Sequence, residues 1–337
     1  GRMPWSGHMA LHAAEAVYAR IKAVRTALVF VNTRAQAERF FAALWRLNDA
    51  NLAIALHHGS LAVEQRRKVE AAMAKGALRA VVCTSSLDLG IDWGDVDLVV
   101  QVGAPKGSSR LLQRIGRANH RLDEASRAVL VPANRFEVLE CRAAVDAVGA
   151  GTLDGAAPLV AALDVLAQHL TGVACSGPFD ADALFAEVRL AQPYADLSRA
   201  DFEAVLGFVA TGGYALRQYE RYRRLEQGAD GLWRLTDKRL ARGYRMNIGT
   251  IVEAPVMRVK LGRGRSLGEI EEYFVSMLTP GDTFLFAGRL LAFESIRNNE
   301  VIASVAKRAT EPKIPAYAGG RLPLSTHLAD RVRDMLA

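Results

Sequence analysis

Arg114 and Arg117 stand three residues apart around Gly116 in the stretch "QRIGRANHR" (Gln113–Arg121), shortly after the apolar run "VDLVVQVGAP" (Val96–Pro105). Phosphoryl transfer leaves charge on equatorial oxygens, and a planar guanidinium meets such oxygens with a fixed fork of hydrogen bonds. The spacing suits a phosphate ligand; the ordinary alternative is a pair of exposed helix arginines. The usual cradle for nucleotide phosphates, G-x-x-x-x-G-K-[ST], is missing, because no Gly-Lys dipeptide occurs in the 337 residues. The only Asp-Glu pair, in "DEAS" (Asp123–Ser126), lies past the arginines. A phosphate met by these arginines must therefore be held mainly by another domain.

Three more polar clusters close short apolar runs: "VNTR" (Val31–Arg34), "HHGS" (His57–Ser60) and "CTSSLDLGID" (Cys83–Asp92). The runs "TALVFVN", "NLAIALHH", "RAVVCTS", "DLVVQVG" and "RAVLVPA" alternate with amphipathic segments, among them Arg34–Asn48 and Val63–Lys75. β-branched strands separated by helices predict a parallel sheet covered on both faces over residues 1–150. Such sheets carry their ligands at the carboxyl ends of the strands. The polar clusters fall on that one edge, where Thr33, Gly59, Ser60, Thr84 and Ser85 offer hydroxyl and backbone donors to phosphates. Taken singly, each of them fits a plain helix cap better.

The linker "GAGTLDGAAP" (Gly149–Pro158) ends this segment. Helices are expected at Leu159–Thr171, Asp180–Leu190 and Ser198–Ala210, the last two opened by Asp or Ser caps. The runs "RYRRLEQ" and "GLWRLTD", joined by "GADG", read as a β-hairpin. Three helices and a hairpin predict a winged helix over residues 151–240. From Tyr244 the runs "NIGTIV", "VMRVKLG", "DTFLFAG" and "EVIASVA", with a helix at Leu267–Met277, predict a β-rich, barrel-like domain over residues 241–337. The fold class is thus α/β, followed by a winged helix and a β-rich domain.

Half of the residues are hydrophobic and 23% charged, with a net charge of +7. Residues 217–265 hold thirteen Arg and Lys against five Asp and Glu, so the rest of the chain is almost neutral. A basic patch this concentrated suits a polyanion, most often nucleic acid, against the alternative of a solvated surface. Arg221, Arg223, Arg224 and Arg234 fall on the expected wing, and Lys260, Arg263 and Arg265 in the loop "KLGRGR". Cys83, Cys141 and Cys175 are odd in number and widely spaced, which predicts neither a disulfide framework nor a metal site. With no signal peptide and no membrane-length apolar stretch, a cytoplasmic protein without a membrane partner is expected.

In order and spacing, "ALVFVNTRAQAE", "TSSLDLGIDWGDVDLVVQ" and "QRIGRANH" resemble the second RecA-like domain of superfamily 2 helicases. The opening "RMPWSGHMA", the winged helix and "NIGTIVEAPVMRVKLG…LGEIEEYF…LTPGDTFLFAGRLLAFESI" are similar to the large helicase-related family. Its DNA-ligase-associated branch of bacterial DEXH-box helicases is the nearest likeness. The resemblance implies the C-terminal portion of an ATP-dependent 3′-to-5′ DNA helicase acting in repair. ATP and Mg²⁺ would be held mainly by a first RecA-like domain that this chain lacks, so the chain by itself is expected to be inactive. A start at Gly1 and an abrupt end at "LADRVRDMLA" fit such a fragment, with the last domain incomplete.

The resemblance also implies roles for single residues. Arg117 would be the arginine finger for the γ-phosphate, with Arg114 and Gln113 beside it. Gly90, Asp92 and His120 would contact the nucleotide, Asp92 at the ribose; His120 stands where many members carry a further arginine. Thr33, Arg34, Gly59, Ser60, Thr84 and Ser85 would hold the backbone of single-stranded DNA. Arg221, Arg223, Arg224, Lys260, Arg263 and Arg265 would extend that path. Tyr317, where many relatives carry Trp, would either stack on a base or pack against the β-rich domain. The implied partners are single-stranded DNA or a 3′-tailed duplex, with a DNA ligase and a nuclease of one repair pathway, in the bacterial nucleoid. Two other readings compete: a stand-alone nucleic-acid-binding module on a non-catalytic RecA-like scaffold, and a fragment of a DEAD-box RNA helicase. The winged helix and β-rich tail disfavour the second.

Overall fold

The computed structural model describes residues 3–88, 96–118, 126–155, 159–250, 255–262, 264–307, 312–317 and 324–337. The five apolar runs form β1 (Ala27–Val31), β2 (Ile54–His57), β3 (Ala80–Cys83), β4 (Leu98–Val102) and β5 (Ala128–Val131). They make one all-parallel sheet in the order β2-β3-β1-β4-β5. β1 is central and every one of its residues is buried, which is why "ALVFV" runs unbroken instead of alternating. The helices of this segment are α1 (Ala14–Lys22), α2 (Arg34–Leu47), α3 (Val63–Ala74), α4 (Ser108–Ile115) and α5 (Arg135–Gly149). One face of the sheet packs Val29 and Val31 with Phe40 and Leu44; the other packs Leu28 and Phe30 with Met73 and Leu87.

The chain divides into two compact units, Gly1–Gly155 with Ala254–Ala337 and, separately, Ala156–Glu253. The second unit contains α6 (Leu163–Ser176), α7 (Ala181–Val188), α8 (Arg199–Thr211), α9 (Gly213–Leu216), the hairpin β6 (Leu225–Gln227) and β7 (Trp233–Leu235), and α10 (Arg239–Met246). Asp180 and Ser198 cap α7 and α8 as expected, accepting hydrogen bonds from the backbone N–H groups of Ala183 (2.8 Å) and Asp201 (3.0 Å). Leu166, Leu170, Leu184, Phe202, Leu206 and Leu225 form its core, and Phe179 pairs with Trp233 to extend the hairpin.

The β-rich segment belongs to the first unit. It holds β8 (Val256–Leu261), β9 (Ser266–Glu271), α11 (Glu272–Ser276), β10 (Thr283–Phe286), β11 (Arg289–Arg297), β12 (Glu300–Val305) and the terminal α12 (Thr326–Asp334). The five strands form one sheet in the order β10-β11-β12-β8-β9, half of a barrel. The helix expected at Leu267–Met277 begins only at Glu272. Before it, Gly268 adopts φ +146° and its Cβ, if present, would lie 2.0 Å from the Ser60 carbonyl oxygen. That close approach lets Leu61 bridge to Gly268, while Glu269 donates its N–H to Ser60 (2.9 Å), so β9 is stitched to the RecA-like segment. The expected strand "NIGTIV" is not a strand at 247–250, and its remainder lies outside the described residues. At the end of the chain α12 returns to the first segment, where Leu328 is buried with Leu111, Ala143, Ala144 and Ala147. No helix among the described residues is long and apolar enough to cross a membrane.

A second tie is electrostatic. Glu38, on the buried side of α2, is 1% exposed, and its carboxylate accepts from the N–H groups of Ala287 (2.5 Å) and Gly288 (2.7 Å) at the β10–β11 turn. His58, fully buried, lies 3.0 Å from the same carboxylate, and its Nδ1 accepts from Ser60 N–H (3.3 Å). Donation through Nε2 then satisfies the third position around Glu38. Ala287 and Gly288 both have positive φ (53° and 69°), the geometry of a tight hairpin turn. Replacing Glu38 by Ala strands two half-buried N–H groups and the buried imidazole. Urea unfolding should show Glu38→Ala destabilised by about 3–5 kcal/mol; an unchanged midpoint and slope would show that the carboxylate does not hold the turn.

Candidate nucleotide and nucleic-acid site

The turn after β3 ends at Asp88, which is only 5% exposed. A buried carboxylate needs a partner, and Arg114 of α4 supplies it: Nε donates to Oδ1 at 2.8 Å and Nη2 to Oδ2 at 3.2 Å. The remaining nitrogen, Nη1, donates to Gln101 Oε1 on β4 (2.5 Å), and the guanidinium lies 4.8 Å from the Phe30 ring centroid. Arg110 adds a longer ion pair to Asp88 at 3.6 Å. Arg114 is 2% exposed, so in this structure its guanidinium faces the interior. Its three nitrogens are committed inside the domain, and moving it outward would leave Asp88 buried and unpaired. Burial also pushes the Cys83 thiol beneath it far up, against the opposing charge of Arg114, so no thiolate competes for the arginine.

Helix α4 ends at Ile115, and the following turn, closed by Arg117 N–H on the Arg114 carbonyl (3.0 Å), separates the two arginines. Arg117 is half-buried and its Nη2 donates to the Asp88 carbonyl oxygen at 2.9 Å. Gln113 is exposed on α4. The opposite end of α4 is fixed by the linker: Asp154 Oδ1 accepts from Ser109 N–H (2.9 Å) and from the Ser108 hydroxyl. Gly107 is required there, since a Cβ would come within 2.4 Å of Asp154 Oδ2. Gly90, Asp92 and His120 lie outside the described residues.

At the ends of β1 and β2 the expected strand-holders divide. Thr33 is exposed and caps α2, its Oγ1 accepting from Gln36 N–H (3.0 Å). Gly59 and Ser85 are exposed as well. Ser60 and Thr84, expected among the holders of the single-strand backbone, are instead buried, at 5% and 7% exposure. Ser60 Oγ accepts from Arg34 Nη1 (2.7 Å), and its carbonyl serves β9. His57 is buried between Ser86 and Glu70; burial pushes its pKa below the ordinary value, Glu70 opposing.

Tyr317 packs rather than presenting an open ring. Its centroid lies 4.9 Å from the Arg34 guanidinium, and burial raises its phenol well above the usual range. In the second unit Arg221, Arg223 and Arg224 are exposed but precede β6, so they sit at the base of the hairpin and not on its tip. Arg234 is tied to Asp230. Lys260 pairs with Glu300 (2.9 Å) in the first unit, Arg265 is exposed, and Arg263 lies outside the described residues. Two features escaped the sequence reading. Glu38 could have been found as an acid on the apolar stripe of "AQAERFF", and α10 as a run of arginines spaced around Leu240 and Tyr244 in "RLARGYRM".

A family model of the helicase conserved C-terminal domain matches residues 11–121, and one of the winged helix domain of the large helicase-related protein matches residues 146–312. The chain belongs to the large helicase-related (Lhr) family. It is 39% identical over 323 residues to ATP-dependent helicase Lhr-Core protein 2 of Thermococcus barophilus, covering 94% of this chain and 37% of that protein. It is 35% identical over 312 residues to ATP-dependent helicase Lhr-Core of Methanocaldococcus jannaschii, covering 90% and 35%. The chain thus spans little more than a third of the length of these relatives. Among solved structures, helicase Lhr of Mycobacterium smegmatis bound to ssDNA and AMP-PNP aligns with a TM-score of 0.64 at 37% identity, covering 72% of this chain and 32% of that one. The DUF1998 helicase MrfA shares the fold, with a TM-score of 0.66 at 18% identity over 90% of this chain and 40% of that one.

Asp154 makes the arginine helix pH-sensitive in a defined direction. Partial burial would raise its pKa, but the hydrogen bonds from Ser108 and Ser109 outweigh that and lower it below 3.8. A depressed folded pKa adds stability above the unfolded value, which is lost as pH falls through the folded one. Asp154→Ala should therefore cost about 0.5–2 kcal/mol near neutral pH in denaturant melts. The difference from the native chain should shrink below pH 3.8. A gap independent of pH would refute the capping charge.

Proposed function

We propose that this chain is part of an ATP-dependent 3′-to-5′ DNA helicase in which it supplies the second RecA-like domain, the arginine finger and part of the single-strand path. One observation carries the reading: Arg117 stands on the Asp88 carbonyl, directly beside the buried Arg114 pair, at the carboxyl edge of a RecA-like sheet in an Lhr-family chain. The relative at 37% identity is described as bound to ssDNA and AMP-PNP, which supports both ligands for this chain. Arg117 rather than Arg114 is the finger, because it alone of the two is not enclosed. Gln113, exposed on α4, is a secondary contact in this proposal; Gly90, Asp92 and His120 keep the roles that the resemblance implies.

The sequence has no Gly-Lys dipeptide to form a phosphate cradle. ATP and Mg²⁺ are therefore assigned to a partner domain bearing the phosphate cradle. Bound there, Mg²⁺ would neutralise charge on the phosphates; Arg117 would orient and stabilise the γ-phosphoryl oxygens when the two domains close. On the DNA side, the exposed Thr33, Gly59 and Ser85, with Arg34 behind them, remain the single-strand holders of the first unit. Arg265 and the arginines before β6 add positive charge. The DNA-ligase-associated branch, a repair setting and ligase or nuclease partners belong to the same proposal.

In a protein carrying the phosphate cradle together with this chain, Arg117→Ala should lower kcat of single-strand-stimulated ATP hydrolysis on the order of a thousandfold. Nucleotide-free DNA affinity should stay unchanged. The chain alone should release phosphate only at the blank rate. A full kcat in Arg117→Ala would remove the finger, and strand-stimulated turnover by the chain alone would favour a complete site within it.

A further inference from the structure

The winged-helix unit carries a two-lobed cleft apart from its hairpin. One lobe, about 400 Å³, is lined by Arg221, Arg224, Arg239, Tyr244 and Asn247. The other, about 350 Å³, is lined by Phe208, Val209, Leu216 and Tyr222, with Asp164 at its polar edge. Gln168, Thr171 and Arg224 belong to both lobes, so the cleft is continuous. Each lobe falls within the roughly 300–1,000 Å³ usual for small-molecule sites.

The charged lobe is not neutralised from within. Arg239 is paired with Asp237 at 2.8 Å. Arg224 is exposed and has no ion pair or side-chain hydrogen bond among the described residues. Arg221 lies 4.8 Å from the Tyr222 ring centroid and 5.6 Å from that of Tyr219, and has no ion pair among the described residues. Two guanidinium groups without a carboxylate, next to an aromatic and aliphatic recess, match the two halves of a nucleotide. Across the charged lobe from these arginines, Gly172 on α6 admits the Tyr244 ring of α10, whose hydroxyl would lie 2.4 Å from any Cβ there. That contact packs α10 against α6.

We infer that this cleft seats one nucleotide of a single strand, its phosphate on Arg221 and Arg224 and its base in the lobe of Phe208, Leu216 and Tyr222. A strand nucleotide fits better than a free one. Arg223, Arg242 and Arg245 are exposed nearby in sequence and along α10, so positive charge continues beyond the reach of a single phosphate group. The inference rests on the DNA-binding part of the proposed function and adds a site to it.

The test is equilibrium binding of the chain to a fluorescein-labelled DNA strand of about 16 nucleotides, and to the same strand made fully abasic. Arg224→Ala should weaken both strands and flatten the slope of log K against log salt by about 0.7. Phe208→Ala, at a position 56% exposed and therefore safe for folding, should weaken the normal strand roughly tenfold and leave the abasic strand unchanged. Native affinity in Arg224→Ala, or equal behaviour of Phe208→Ala on the two strands, would overturn the inference while leaving strand binding by the chain intact. Competition by free AMP at concentrations matching its strand-equivalent nucleotides would also overturn it, in favour of a mononucleotide site. If the native chain bound neither strand, the DNA-binding reading itself would fail.

Discussion

The carboxylate of Asp88 is the constraint around which the first unit is arranged. Placed inside the domain just after the turn that follows β3, it requires a cation in the interior, and Arg114 reaches it with two nitrogens. That requirement fixes the roll of α4 and draws Gln101 of β4 into the same network. It also decides what the neighbouring arginine does. Residues three apart on a continuous helix share a face, but α4 stops at Ile115, and the turn through Gly116 releases Arg117 from the buried side. One arginine is spent on the fold, so the other is left at its edge on the Asp88 carbonyl.

A second buried acid joins the β-rich segment to this body. Glu38 reaches the β10–β11 turn with both oxygens, and the Ser60–Leu61 backbone extends β9. The "HHGS" segment therefore serves the interior more than the surface. His58 supports Glu38, His57 is neutral between Ser86 and Glu70, Ser60 carries β9, and Gly59 alone of the four is exposed. A segment whose residues suit phosphate binding can thus be mostly structural, with its exposed part reduced to backbone.

Much of this was legible in the sequence where the cause is local. The unbroken β1 run, the 3.6-residue spacing of α2 and α3, and the Asp180 and Ser198 caps all follow from residue type and neighbours. The errors share a different cause. The "LGEIE" stretch looked helical until Gly268 met the Ser60 carbonyl, a contact between residues more than two hundred positions apart. The resemblance already singled out Arg117 as the finger, but residue type alone could not show that Arg114 beside it is buried on Asp88. Helix α10 was hidden because its arginines were read as charge, while Tyr244, the residue that docks it, depends on the missing side chain at Gly172.

The central claim is that the two arginines have divided labour, one holding and one acting. It is tested most directly by measuring kcat and the urea midpoint together for Arg114→Lys and Arg117→Lys, in a protein that joins this chain to a phosphate-cradle domain. Lysine keeps the charge but loses the planar fork. The account predicts that Arg114→Lys lowers the unfolding midpoint, because one ammonium cannot serve both Asp88 oxygens and Gln101. It predicts that Arg117→Lys leaves the midpoint in place and loses most of kcat. Normal kcat in Arg117→Lys, or a parallel loss of stability and turnover in both variants, would contradict the division.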